Sequence, residues 1–294
     1  MNDSPSLWTA LITPMHEDGS LHLDDLTALL HRQAAAGNGV LLIGSTGEGL
    51  ALSDSEKLAV VEHAAAQNVS IPLMVGVGGF QLETQLNWIR TCNTLSVDSF
   101  LLVAPLYAKP GPFGMEHWFR SLMDAAEKPC MIYNIPSRTG VKIPPSVIAG
   151  LSDHPNFWAV KEASGSIEEF QAFRAASPEV PLYSGDDGLT PFFCRAGAVG
   201  LVSVASNVWP KATRRYTEYC LSGNTVNTLP IWKPATDALF SASNPIPAKR
   251  LLQHKGVIES ARLRAPLHAT ELSTIDHLIE ADRHIERWLA ENTN

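Results

Sequence analysis

A chain of 294 residues that is 45% hydrophobic and 18% charged has the make-up of an ordinary folded protein and can enclose a sizeable core, which excludes disordered and fibrous classes. Its net charge of -8 at pH 7, with no run of Lys or Arg, speaks against nucleic acid as a partner, because a phosphate backbone needs a basic stripe. No apolar stretch is long enough to span a bilayer, and residues 1–8 lack the positive start and apolar run of a signal peptide, so a cytoplasmic protein with no membrane partner is expected.

Short apolar runs rich in β-formers recur at 7–13, 40–43, 72–77, 100–104, 130–133, 157–162, 182–184 and 201–204, with helix-length segments between most of them. Two of those segments, at Ser53-Asp54-Ser55-Glu56 and Ser166-Ile167-Glu168-Glu169, open with the spacing of a capping box. Near-continuous apolar strands joined by crossover helices predict a parallel sheet covered on both faces, and eight such units close into an α/β (β/α)8 TIM barrel. An open doubly wound sheet is the alternative, weakened by the lack of a G-x-G-x-x-G turn after the first strand. From about Asn207 the pattern is helical only. We therefore expect a catalytic barrel over 1–224 and a C-terminal helical extension over 225–294. Cys92, Cys130, Cys194 and Cys220 show neither C-x-x-C nor zinc-finger spacing and read as reduced, mostly buried thiols.

Barrel enzymes carry their chemistry where the strands end, so the residues just after each apolar run matter most. Here they read Gly44-Ser45-Thr46-Gly47-Glu48, Pro105-Leu106-Tyr107, Tyr133 to Gly140, Lys161-Glu162, Ser184-Gly185-Asp186-Asp187 and Ser203 to Asn207. Lys161 lies inside its strand, where a buried lysine is rare unless paired. It is either one half of a structural ion pair, with Glu162, Asp186 or Asp187, or an amine whose pKa is lowered by burial so that it can attack a ketone. Tyr133 can pass protons in relay with the hydroxyls of Ser45 and Tyr107, although a strand-end Tyr is often only packing. The Gly44-Ser45-Thr46-Gly47 turn offers amides and hydroxyls to an anion, or is simply a tight turn. Arg138 has a fork suited to a carboxylate, or is a solvated surface residue.

Taken together these residues resemble the dihydrodipicolinate synthase and N-acetylneuraminate lyase family. The likeness runs from Thr13-Pro14 through Gly44 to Glu48, Tyr133 to Gly140, Val160-Lys161-Glu162-Ala163, Ser184 to Asp187 and Asn244-Pro245-Ile246-Pro247 to Leu263-Arg264-Ala265-Pro266-Leu267. It implies a class I lyase in which Lys161 forms an imine with pyruvate, Tyr133 donates the proton, and Ser45 and Tyr107 complete the relay. It also implies that Thr46 and the Val202 carbonyl contact pyruvate and that Arg138 binds the second substrate's carboxylate. No cofactor and no metal are implied. The family's usual homotetramer, a dimer of dimers, would bring Tyr107 in from a neighbouring subunit.

Within the family, Ser137-Arg138-Thr139-Gly140 resembles the synthase branch, which condenses pyruvate with L-aspartate 4-semialdehyde to 4-hydroxy-tetrahydrodipicolinate for lysine and diaminopimelate biosynthesis. Ser45 leans the other way, toward lyases of N-acetylneuraminate or of 2-keto-3-deoxy sugar acids, but keeps the hydroxyl. A barrel that only senses a keto acid is a further alternative, opposed by the full set of Lys161, Tyr133 and two relay hydroxyls. Many synthases are inhibited by lysine, bound at an interface pocket through polar groups. Here Leu50, Phe80 and Leu106 occupy that region and Lys57 would repel a second ammonium, so insensitivity to L-lysine is expected.

Overall fold

The computed structural model describes residues 4–223 and 228–292. Eight parallel strands close on themselves in chain order: β1 (Leu7–Ala10), β2 (Gly39–Leu42), β3 (Leu73–Val77), β4 (Ser99–Val103), β5 (Cys130–Asn134), β6 (Phe157–Glu162), β7 (Leu182–Ser184) and β8 (Gly200–Ser203). Helices α1 (Leu23–Ala34), α2 (Asp54–Ala66), α3 (Leu82–Asn93), α4 (Pro112–Ala125), α5 (Pro136–Thr139), α6 (Pro145–Leu151), α7 (Ile167–Ala176) and α8 (Thr190–Ala196) fill the crossovers. Pairing of β8 with β1, Val202 opposite Trp8, closes the (β/α)8 barrel and removes the open-sheet alternative. The first apolar run leaves the ladder early: β1 stops at Ala10, and two residues on the Ile12 N–H turns to the Asn207 side chain.

Side-chain alternation along each strand splits the core in two. On β5, Cys130 and Ile132 face the helices while Met131 and Tyr133 face the barrel interior. On β6, Val160 faces out and Ala159 faces in, so the next inward position belongs to Lys161 and the next outward one to Glu162. At the N-terminal mouth, Trp158 meets Trp8 at 5.9 Å and Tyr183 at 5.8 Å, both edge to face. Gly39 and Gly200 make room for this plug, because a Cβ on either would lie 2.7 Å from the Trp8 or the Tyr183 ring. With that mouth filled, the barrel interior opens toward the opposite end, where the strands terminate.

The capping box at Ser53 forms in both directions, with Glu56 returning to the Ser53 N–H at 2.9 Å. The one expected at Ser166 forms only by half. Ser166 accepts from the Glu169 N–H at 3.2 Å, but the Glu169 carboxylate pairs with Lys142 and the Ser166 N–H turns to Ser164. A cationic partner across the loop outcompeted the local amide.

After α9 (Pro210–Ser222), which completes the barrel's helical ring, come α10 (Leu229–Leu239), α11 (Ile246–His254) and α12 (Asp276–Glu291). Trp232 stacks on Tyr216 of α9 at 4.1 Å and meets Trp288 of α12 edge-on at 5.3 Å, which fastens these helices to the barrel. The expected boundary at 224/225 lies outside the described residues. The four cysteines are free, and all but Cys194 are buried.

Candidate active site

The turn after β2 is built under strain. Ile43 and Glu48 hold φ of 48° and 55°, left-handed values that non-glycine residues, and β-branched Ile43 above all, rarely adopt, and such strain survives only where the surroundings over-determine it. Here they do. A Cβ on Gly49 would sit 1.9 Å from the Ile43 carbonyl oxygen, so the chain doubles back at the closest approach a glycine allows. Thr13 donates to the Gly47 carbonyl at 2.7 Å, and the Asn244 amide donates to Thr46 Oγ1 at 2.9 Å. Asn244 was visible in the sequence only as part of a recurring motif; its contact with the turn, 198 residues away, was not.

Lys161 is buried and makes no ion pair among the described residues. All three carboxylates that stood as partners are engaged elsewhere. Glu162 points to the other face of the sheet, where it accepts from the Asn134 amide at 2.7 Å and from the Ser164 N–H. Asp186 accepts from the Gly188 and Leu189 amides at 2.9 and 3.1 Å. Asp187 is held by the Ser203 hydroxyl and by the Val204 and Ala205 amides. Its charge still bears on Lys161 from a distance, but burial outweighs it and lowers the Lys161 pKa to about 7, with the Arg138 guanidinium pushing the same way. Space for the amine comes from Gly185, where a Cβ would lie 2.9 Å from Lys161 Cε. Sequence reasoning passed over that glycine, although its place in a strand-end motif was the available signal.

Tyr133 is the register partner of Lys161, and the lysine Nζ sits 4.0 Å from the centroid of its ring. Burial pushes the Tyr133 phenol up to about 12, against the opposing pull of Arg138 and the Ser45 hydroxyl, so it is a protonated donor at neutral pH. Ser45, Tyr107, Tyr133 and Arg138 all line one cavity of about 860 Å³ at the strand ends. Lys161 is not itself in the lining but sits against the lining Tyr133, Thr46 follows the lining Ser45, and Val202 faces the barrel interior on β8. Arg138 sits on the one-turn helix α5, whose Pro136 start and left-handed Gly140 end confine it to the cavity's edge, and its guanidinium reaches the Asn244 carbonyl at 3.4 Å. Tyr107 differs from the rest: with φ of 66° it stands 92% exposed on the rim.

Away from the cavity, three side chains of metal-ligating type converge among the described residues. Glu259 lies 2.7 Å from His22 Nε2 and 3.3 Å from His16 Nδ1. His22 Nδ1 accepts the Asp25 N–H as a helix cap, which leaves its proton on Nε2, facing Glu259. The His22–Glu259 hydrogen bond thus clasps the β1–α1 loop to the segment after α11, with His16 alongside.

The structure turns a strand lysine into a closed barrel beside a tyrosine, and comparison with known proteins shows the family. Residues 3–281 match the model of the dihydrodipicolinate synthetase family. The chain belongs to that family. A 4-hydroxy-tetrahydrodipicolinate synthase from Francisella philomiragia is 47% identical over 285 residues, which is 97% of each chain. Among solved structures, the 4-hydroxy-tetrahydrodipicolinate synthase of Methylacidiphilum fumariolicum superposes with a TM-score of 0.91 at 30% identity, covering 97% of both chains. A DHDPS from Cyanidioschyzon merolae, solved with lysine bound, gives 0.89 at 30% identity over 95% of this chain and 97% of its own.

Proposed function

We propose that the chain is a Schiff-base-forming lyase that condenses pyruvate with L-aspartate 4-semialdehyde to give 4-hydroxy-tetrahydrodipicolinate, a step of lysine and diaminopimelate biosynthesis. The observation that carries this reading is Lys161: a buried amine with no ion pair among the described residues, its pKa lowered to about 7, lying against the Tyr133 ring.

In the sequence of steps we assign, the neutral Lys161 amine attacks the pyruvate ketone, and Tyr133 protonates the departing hydroxyl so that water leaves and the imine forms. Ser45 and Tyr107 return the proton. Loss of a methyl proton gives an enamine, whose carbon adds to the aldehyde. The amine of the bound semialdehyde then attacks the imine carbon, closing the ring and releasing Lys161. Thr46, the Ser45-Thr46 amides and the Val202 carbonyl would hold the pyruvate end, and Arg138 the second carboxylate. These steps use only protein side chains and need no cofactor.

The position of Arg138 at the cavity edge favours an aldehyde that carries a carboxylate over the polyol of a sugar acid. We assign a homotetramer in which Tyr107, exposed on the rim of its own chain's cavity, crosses to a neighbour's site; the exposure supports the crossing. We further assign a barrel unit over 1–224 and a helical extension over 225–294, and a cytoplasmic location; among the described residues no helix is long and apolar enough to cross a membrane. The test is pyruvate consumption by the purified protein with aspartate semialdehyde beside a panel of sugar-derived aldehydes. Preference for the semialdehyde supports the assignment, and preference for a sugar-derived aldehyde moves the chain to the sugar-acid lyases.

A further inference from the structure

We propose that the buried ion pair between Glu48 and Lys249 is a positioning device for the pyruvate end of the site, through which the C-terminal helices hold the Ser45-Thr46 turn in its working shape. The inference rests on the reading above, in which Thr46 meets the keto acid's carboxylate.

Glu48 closes that turn. Its Oε1 accepts from Lys249 Nζ at 2.5 Å and its Oε2 accepts from the Arg264 N–H at 2.7 Å, while Lys249 also donates to the Arg262 carbonyl at 2.7 Å. Lys249, on α11, is fully buried and Glu48 nearly so. Asn244, just before the same helix, holds Thr46. Thus two turn residues, Thr46 and Glu48, are gripped by one stretch of chain some two hundred residues distant.

An ion pair this deep is a poor choice for stability alone, because desolvation offsets most of the attraction and an apolar pair of the same volume would fold as well. It is a good choice for register, since both carboxylate oxygens and the ammonium have fixed partners and only one arrangement satisfies them. The turn needs such a hold: its two ends, Ile43 and Glu48, both sit in left-handed backbone that relaxes if released. The grip also sets a direction. Thr46 Oγ1 accepts from Asn244, which leaves the Thr46 hydroxyl proton to donate to a carboxylate. Arg138 is tied to the same segment only through the Asn244 main-chain oxygen, so the second substrate's subsite depends less on the pair.

The experiment compares the full-length chain with Lys249→Met, Glu48→Gln and the double variant, at a temperature well below each Tm. In folded variants the pyruvate KM should rise at least about tenfold, with the semialdehyde KM at saturating pyruvate changing less than about threefold. A folded variant with lowered Tm but the parent's pyruvate KM, or with both constants raised alike, overturns the proposal. Should the variants fail to fold, the parent alone decides. Coupling is reciprocal, so reducing pyruvate onto Lys161 should slow hydrogen exchange at the Arg264 amide by about fivefold or more. Unchanged exchange there overturns the proposal, whereas a parent that traps no pyruvate at all overturns the functional reading and this inference with it.

Discussion

Lys161 Nζ lies 4.0 Å from the centroid of the Tyr133 ring, and the two residues are register partners on adjacent strands. Strand alternation turns both inward, and the pKa of each is moved by the same burial in opposite senses, the amine down to about 7 and the phenol up to about 12. Between those values the amine is a free nucleophile and the phenol keeps its proton. The rate of imine formation should therefore climb with pH through about 7 and stay level well above it. Stopped-flow measurement of pyruvate binding across pH reads this directly; a limb centred near the ordinary lysine value of 10.5 would show that burial does not tune the amine.

The same shift has a consequence for stability. Because the folded pKa of Lys161 lies below its unfolded value of 10.5, the unfolded chain binds more protons between about 7 and that value, and stability gained from this residue rises with pH across the window. Below about 7 the cost of burying the charge is felt in full. Lys161→Met should abolish activity yet raise Tm at about pH 6, with the gain shrinking toward about pH 10. Calorimetry of both proteins across that range checks it, and a variant less stable than the parent at the acid end contradicts it.

Arg138→Ala should damage use of the semialdehyde far more than trapping of pyruvate. Losing a hydrogen-bonded charge contact is worth about 1.5–3 kcal/mol, or roughly ten- to 150-fold in kcat/KM for the second substrate. Parallel loss of trapping and turnover would place Arg138 at the pyruvate end instead.

Much of this was readable before any coordinates. The strand count follows from apolar runs, and the burial of Lys161 from its place inside one of them; that it faces inward past Ala159 and Val160 came only with the barrel. What stayed hidden depends on contacts that local pattern does not encode. Glu169 satisfied the capping-box spacing but chose Lys142, and Glu48 and Asp187 found partners in other segments of the barrel or its extension. The room Gly185 leaves for Lys161 is a matter of close packing between neighbouring strands, which a glycine codon position alone does not announce.

Tyr107→Phe should lower turnover and slow pyruvate trapping while leaving the fold intact, since its ring stands exposed on the rim. Dilution until subunits separate should have the same effect if the hydroxyl crosses an interface. Full activity in a monomer verified by sedimentation rejects the crossing.

L-Lysine at physiological concentration should leave the rate unchanged. Leu50 and Leu106 line the outer arm of the cavity, Phe80 stands exposed, and none of the three can satisfy two ammonium groups and a carboxylate. Lys57 contributes less repulsion than its sequence position implied, because Asp54 neutralises it at 3.0 Å; Asp54, Thr84 and Gln85 line the same cavity, and the expectation rests on Leu50 and Leu106 standing among them. Cooperative inhibition in a steady-state titration would refute it.

The central claim is that Lys161 forms the imine, and borohydride reduction in the presence of pyruvate tests it most directly. Mass spectrometry and peptide mapping should find one reduced pyruvyl group per chain, on Lys161, and none in Lys161→Met. An adduct on any other lysine, or no adduct in the parent protein, contradicts it.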